Sequence, residues 1–165
     1  MENVQYAEQW IAEDLILEKY DSYKTMLFRI AFSYLGNKQD CEDILQEAFI
    51  KLCYQAPDFP SEEDRKRWII RITVNLCKNH LKNFWSRKKV NIEELEEFAY
   101  EPEEKEVILD MIRLPEKYKT VIHLYYFAGY KITDITDILK LSESAVKMRL
   151  KRGRELLRIE LEDAK

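Results

Sequence analysis

The sequence predicts an all-α protein of two small helical domains joined by a flexible acidic linker, the C-terminal domain being a helix-turn-helix. Three observations predict it. Apolar residues recur three and four positions apart in each sustained segment. The helix punctuation is legible: Gly36-Asn37 and the prolines Pro57 and Pro60 fall between two such segments, and Leu114-Pro115 opens another. Between Ser86 and about Glu106 the periodicity lapses into a basic run, the acidic run Glu93 to Glu97, and Pro102. At 165 residues and 46% hydrophobic, the chain can bury one good core or two small ones. The expected division is a first domain over 1–89, a linker over 90–109 and a second domain over 110–165.

Leu15 to Leu35 is an amphipathic helix through Leu15, Tyr20, Tyr23, Leu27, Ile30, Ala31 and Tyr34, and Gly36-Asn37 supplies the C-cap signal that ends it. Asp40 to Gln55 follows, with Ile44, Leu45, Ala48, Phe49 and Leu52 turned inward and Asp40, Asp43, Gln46 and Glu47 on the other side. Acids in a first helical turn oppose the macrodipole favourably, so ordinary helix-start chemistry accounts for that face as well as a binding role does. The stretch Gln55 to Asp64, with two prolines, is a loop. The next helix is basic: Arg65 to Lys89 holds nine Lys or Arg and no acid. Arg67, Arg71, Asn75, Lys78 and Lys82 share one sector of its helical wheel, while Trp68, Ile69, Ile72 and Leu76 lie on another side and can enter a core. Trp68, Phe84 and Trp85 put aromatic surface at its ends.

In the second domain Pro115 opens a helix with Val121, Ile122, Leu124, Tyr125 and Phe127 on its apolar side. Ile132, Ile135, Ile138 and Leu139 bury one face of a short helix, and Leu141-Ser142 make the turn. Ser142 is a good N-cap for a last helix from Glu143 to about Leu161. Val146, Leu150, Gly153 and Leu157 form its buried row, and Lys147, Lys151, Arg154 and Arg158 repeat that spacing one residue later.

Whole-chain net charge of −4 hides a segregation of charge. Residues 1–64 carry fourteen acids and five bases, and residues 90–110 nine acids and one base. Residues 140–158 carry seven bases and two acids. Cationic stripes of this kind neutralise phosphates whatever the base sequence, so the two basic helices point to nucleic acid. Other classes lose support. The acidic start lacks a signal-peptide core, and the longest uncharged apolar run, Thr120 to Tyr130, is about half a membrane span. Cys41, Cys53 and Cys77, with only His80 and His123, make no zinc pattern and read as reduced thiols of a cytoplasmic protein. Three glycines cannot build a phosphate loop, and no enzyme signature occurs, so neither catalysis nor a cofactor nor a metal is expected.

The stretch Asp40-Cys41-Glu42-Asp43-Ile44-Leu45-Gln46-Glu47-Ala48-Phe49-Ile50-Lys51-Leu52 resembles the core-binding helix of the sigma-70 family in its extracytoplasmic-function (ECF) branch. Trp68-Ile69-Ile70-Arg71-Ile72-Thr73-Val74-Asn75-Leu76 resembles that branch's W-L-x-R-I-x-x-N helix. Leu114 to Tyr118 and Val146 to Leu150 match the two ends of its C-terminal DNA-binding domain. The resemblance implies a bacterial sigma factor, not an enzyme, that binds core RNA polymerase and directs promoter-specific initiation. It implies that Asp40, Asp43, Gln46 and Glu47 face the clamp helices of the largest polymerase subunit, with the flap of the second subunit a further contact. Arg67, Trp68, Arg71, Asn75, Lys78, Asn79 and Lys82, with the preceding loop, would take and melt the −10 element and hold a flipped base. Ser142, Ser144, Lys147, Met148, Arg149, Lys151, Arg152 and Arg154 would lie in the major groove at the −35 element. An anti-sigma factor is an implied partner, and the acidic linker would pass through polymerase's nucleic-acid channels.

Lys131, Thr136, Ser144 and Ala145 depart from the family's usual Ser, Ala, Gly and Thr, which leaves the −35 base preference open. Two other classes remain. A stand-alone helix-turn-helix repressor explains residues 114–160 but gives the first domain no task, and a helical adaptor without DNA contact leaves both basic stripes idle.

Overall fold

The computed structural model of the chain describes residues 2–83, 93 and 102–163. All described elements are helical. In chain order they are α1 (Glu2–Leu35), α2 (Lys38–Tyr54), α3 (Glu62–Asn83), α4 (Pro102–Arg113), α5 (Glu116–Ile122) continuing into a π-helical turn (His123–Phe127), α6 (Ile132–Leu139) and α7 (Glu143–Asp163). Phe84, Trp85 and most of the expected linker fall outside the described residues. Its last part, from Pro102, is helix α4.

Sequence chemistry sets the boundaries. Gly36 adopts φ 73°, the left-handed conformation that ends α1 at little cost. Asn37 then caps α2, its Oδ1 accepting from the Asp40 N–H at 2.9 Å while its Nδ2 donates to Asp40 Oδ2 at 2.9 Å. Ser61 does the same for α3, accepting from the Asp64 N–H at 3.2 Å. Pro115 sits one residue outside α5, in extended conformation, rather than at its first helical position. Gly129, at φ 74°, turns the chain between the π-helical turn and α6.

Helices α1, α2 and α3 pack mutually, and α5, α6 and α7 form the second group, with α4 packed on both α1 and α7. Leu27, Phe28, Ala31 and Phe32 of α1 meet Ile44, Leu45 and Ala48 of α2 and Ile69, Ile70 and Val74 of α3, all buried. In the second group Val121, Ile122 and Leu124 meet Ile135, Ile138, Val146 and Leu150. The two groups are docked: α3 packs against α6 and α1 against α5, so one buried cluster runs through both. Cys41 and Cys77 are buried and Cys53 is exposed. No described helix is long and apolar enough to cross a membrane, and no described group of His, Cys, Asp or Glu could hold a metal.

Candidate nucleic-acid interface

Helix α2 turns Cys41, Ile44, Leu45, Ala48, Phe49 and Leu52 into the core, which leaves Asp43, Gln46 and Glu47 exposed as one polar row. Asp40 does not join them. It closes the reciprocal cap with Asn37 and lies 3.4 Å from His80 Nε2 of α3, its side chain only 14% exposed. Helix-start chemistry, one of the two uses open to that face, thus occupies Asp40.

Helix α3 buries Ile69, Ile70, Thr73, Val74 and Cys77. Burial pushes the Cys77 thiol up and removes it from reactivity. Asn75, Asn79 and Lys82 are exposed, while Arg71 and Lys78 are half-buried. Trp68 is half-buried, its ring edge-on to Phe59 with centroids 5.8 Å apart, so it ties the 55–61 loop to the helix. The Arg65 guanidinium lies over the Phe59 ring, 5.7 Å from its centroid. Tyr23 of α1 donates to Glu62 at the helix start, which fastens the loop's far end.

The helix-turn-helix is built as the spacing requires. Asp134 Oδ2 accepts from the Lys131 N–H at 3.1 Å and so caps α6 from within, replacing a hydroxyl cap at Lys131. Lys140, at φ 55° and ψ 44°, takes the left-handed position that closes α6. Ser142 Oγ accepts from the Ala145 N–H at 3.2 Å and starts α7. From there Ser144, Lys147, Met148, Lys151, Arg152 and Arg154 are exposed, Met148 at 66%. Lys147 is braced by Glu143 at 2.9 Å, an exposed pair worth about 0.3–0.5 kcal/mol that leaves the cation free to exchange partners. A wet, capped helix start carrying Ser, Lys and Met beyond a tight turn is the shape that enters a major groove.

Docking brings the two surfaces together in a way the sequence did not disclose. Arg71, Asn75 and Lys78 of α3 form one wall of a cleft of about 400 Å³, and Lys117, Lys140 and Arg149 of the second group line the other. Arg149, half-buried, therefore faces α3 rather than solvent. Arg67 is withdrawn further: its Nη2 donates to Asp134 Oδ1 at 2.6 Å and its Nη1 lies 3.8 Å from Asp137 Oδ2. Lys66 stands 5.3 Å above the Tyr130 ring. At the second seam Lys119, buried, donates to the Ser33 carbonyl at 2.7 Å and lies 5.6 Å above the Tyr34 ring. Nearby, the Thr120 and Tyr34 hydroxyls and both ring nitrogens of His123 are buried with no hydrogen-bond partner among the described residues. Burial, with Arg29 beside it, depresses His123 to about 3.

Sequence reading missed Asp134, Asp137, Lys119 and Tyr130. Contacts spanning 67 and 86 positions, which leave no local trace in the sequence, pair Asp134 with Arg67 and Lys119 with the Ser33 carbonyl.

Residues 20–87 match the family description sigma-70 region 2 and residues 105–157 match sigma-70 region 4. The chain is 31% identical to the RNA polymerase sigma factor SigV of Bacillus subtilis (strain 168), over 89% of this chain and 91% of that one. It is 29% identical to the ECF RNA polymerase sigma factor SigW of the same organism, over 92% and 91%. Among solved structures, CnrH in complex with the cytosolic domain of CnrY is similar at a TM-score of 0.72 and 21% identity, over 93% of this chain and 91% of that one. The extracytoplasmic function sigma factor SigJ of Mycobacterium tuberculosis is similar at 0.62 and 17% identity, over 86% and 52%.

Proposed function

The chain belongs to the sigma-70 family, in its extracytoplasmic-function branch, and from that premise we propose how its surfaces divide the work of a sigma factor that directs promoter-specific transcription. Asp43, Gln46 and Glu47 meet the cationic clamp helices of the largest polymerase subunit, opposite potentials raising both on-rate and specificity. Asp40 supports that face through its pairing with the Asn37 cap. The α3 stripe of Arg67, Arg71, Asn75, Lys78, Asn79 and Lys82, with Trp68 and the 55–61 loop, takes the opened −10 strand. Cations track its backbone, and the aromatic loop offers the surface on which an unstacked base can rest. The start of α7, Ser142 to Arg154, reads the −35 duplex. An anti-sigma partner belongs to the proposal, since the similar CnrH is seen with the cytosolic domain of CnrY.

The observation that carries this reading is the pairing, in one chain, of an exposed capped helix start after a tight turn with a separate helix free of acids from Arg65 onward. A stand-alone repressor has no use for a domain matching region 2. The test is run-off transcription with core polymerase over a pool of genomic promoters, followed by permanganate footprinting of an active one. Arg71→Ala with Lys78→Ala should keep core binding yet lose strand opening. A template already mismatched at the −10 region should restore it, because its unstacking cost is gone. Normal opening on paired DNA by the double variant would move the melting surface elsewhere.

A further inference from the structure

The cleft of about 400 Å³ between α3 and the second helical group collects more positive charge than its surroundings balance. Arg71 and Lys78 line it from one side and Lys117, Lys140 and Arg149 from the other, with Glu116 the single acid among its described lining residues. None of these five cations pairs with a carboxylate among the described residues, whereas Arg67, Lys147 and Arg152 each do. Like charges so placed repel. The walls cannot relax by drifting apart, because one buried apolar cluster runs through both helical groups and fixes their spacing. Thr120 adds a separate observation: it lines the same cleft, is 4% exposed, and its hydroxyl is buried with no hydrogen-bond partner among the described residues. A buried hydroxyl left unpartnered is destabilising, and an anionic oxygen in the cleft would give it an acceptor.

We propose that this cleft is a binding site for a compact polyphosphate, the triphosphate group of a nucleotide or of an inorganic ion. Charge and size select that class. Five cations and one acid give the lining a formal charge of +4, which suits several linked phosphates better than a single monoanion. The volume falls within the range of small-molecule sites, about 300–1,000 Å³, and cannot admit a duplex. Nor do the lining residues follow the division of labour proposed for DNA. Lys117 and Lys140 belong to neither the −10 nor the −35 surface, yet they complete this cleft, while Asn79 and Lys82 of the α3 stripe stand outside it. Arg71 and Arg149 present planar forks that grip phosphate oxygens in pairs, and the lysines add point charges on long stems. Leu139 and Leu141 line the same cleft and offer apolar surface on which a base can rest. Nucleotide and inorganic sources therefore share the phosphate contacts and differ only in that last one.

The experiment is equilibrium dialysis of the full chain against sodium triphosphate, ATP and, as control, sodium phosphate. Ionic strength is held at about 0.15 M, where attraction between exposed charges is screened beyond about 8 Å. Triphosphate should bind one to one, and single phosphate at least about tenfold more weakly. Lys117→Gln on one wall and Lys78→Gln on the other should each weaken triphosphate binding about tenfold, the loss of one charge-assisted hydrogen bond. Lys51→Gln and Arg113→Gln, cations outside the cleft, should change it by less than about twofold. An ATP affinity above that of inorganic triphosphate assigns the site to nucleotides, with the base on Leu139 and Leu141; an equal or lower one assigns it to the inorganic ion. No saturable binding up to about 1 mM triphosphate overturns the proposal. So does binding of several ions per chain, an equal loss in all four variants, or a loss confined to one wall, since each describes diffuse attraction to a basic surface. If Lys78→Gln loses its helical signal, Arg71→Gln replaces it. If that fails too, Lys117→Gln against Arg113→Gln decides, both residues being exposed, and equal affinity of those two variants would overturn the site.

Discussion

Gly153 sets how closely α7 approaches α5, and its replacement by alanine has an effect whose sign can be worked out. A Cβ at 153 would meet Ile122 Cγ1 at 2.8 Å and Cδ1 at 2.9 Å, with Tyr118 Cβ at 3.5 Å. Apolar carbons prefer about 3.5–4.0 Å, so two of the three contacts overlap by at least half an ångström. Ile122 is 1% exposed and cannot swing into solvent. Overpacking of this kind costs about 1–3 kcal/mol, while alanine in a helix interior gains about 1 kcal/mol over glycine. Gly153→Ala should therefore destabilise the chain by about 1 kcal/mol net. In an Ile122→Ala background, itself costing about 2–5 kcal/mol, both clashing atoms are gone. There Gly153→Ala should stabilise by about 1–2 kcal/mol, the propensity gain plus about 0.8 kcal/mol for one buried carbon. The coupling of about 2–3 kcal/mol is read from urea unfolding followed by circular dichroism on the four proteins of the cycle. Equal stabilisation by Gly153→Ala in both backgrounds would refute the claim that Ile122 is what excludes a side chain there.

Three more outcomes are expected. Reversing charge with Asp43→Lys and Glu47→Lys, both exposed on α2, should weaken binding to core polymerase at least tenfold, about 1.4 kcal/mol, with the helical signal unchanged; equal affinity by fluorescence titration would remove the polymerase contact from that face. Lys147→Ala and Arg149→Ala should each weaken binding of holoenzyme to a −35 duplex, by about 1–3 kcal/mol with loss of base discrimination where the side chain touches a base edge, or evenly over all sequences with a flatter salt slope where it touches phosphate; unchanged affinity of both at low salt would place duplex recognition elsewhere. His123 is depressed to about 3 from an ordinary value near 6.5. The unfolded chain therefore binds the extra proton between those values: stability is fully present above about pH 6.5 and falls as pH drops toward 3, by up to about 1.4 kcal/mol per unit. His123→Leu should flatten that part of the pH profile, and an identical slope in the variant would show that other groups set it.

Local chemistry carried most of the fold into the sequence. Gly36 with Asn37, Pro57 with Pro60 and Ser142 punctuate helices because each acts within a few residues on its own backbone, through a positive φ, a missing N–H or a side-chain cap, and needs no distant partner. The buried row Val146, Leu150 and Gly153 and the exposed row Lys147, Lys151 and Arg154 follow from helical period alone. So does the outward face of Asp43, Gln46 and Glu47. Motif blocks carried family membership for the same reason, being short contiguous stretches. Asp40 divides the two regimes: period places it beside Asp43, but the cap with Asn37 and the approach of His80, forty positions away, hold it inward.

What only the tertiary structure decided is whether a cation seen in the sequence is free to meet an anion elsewhere. Arg67 and Lys82 belong to one stripe on the wheel, yet Lys82 is exposed and Arg67 is held by Asp134. Lys119 counts as one more charge in composition, but is buried against the Ser33 carbonyl. Periodicity reports which side of a helix points away from that helix's own core. It carries no information about a second domain arriving on that side, because charge attraction acts through space between residues whose separation along the chain leaves no local trace.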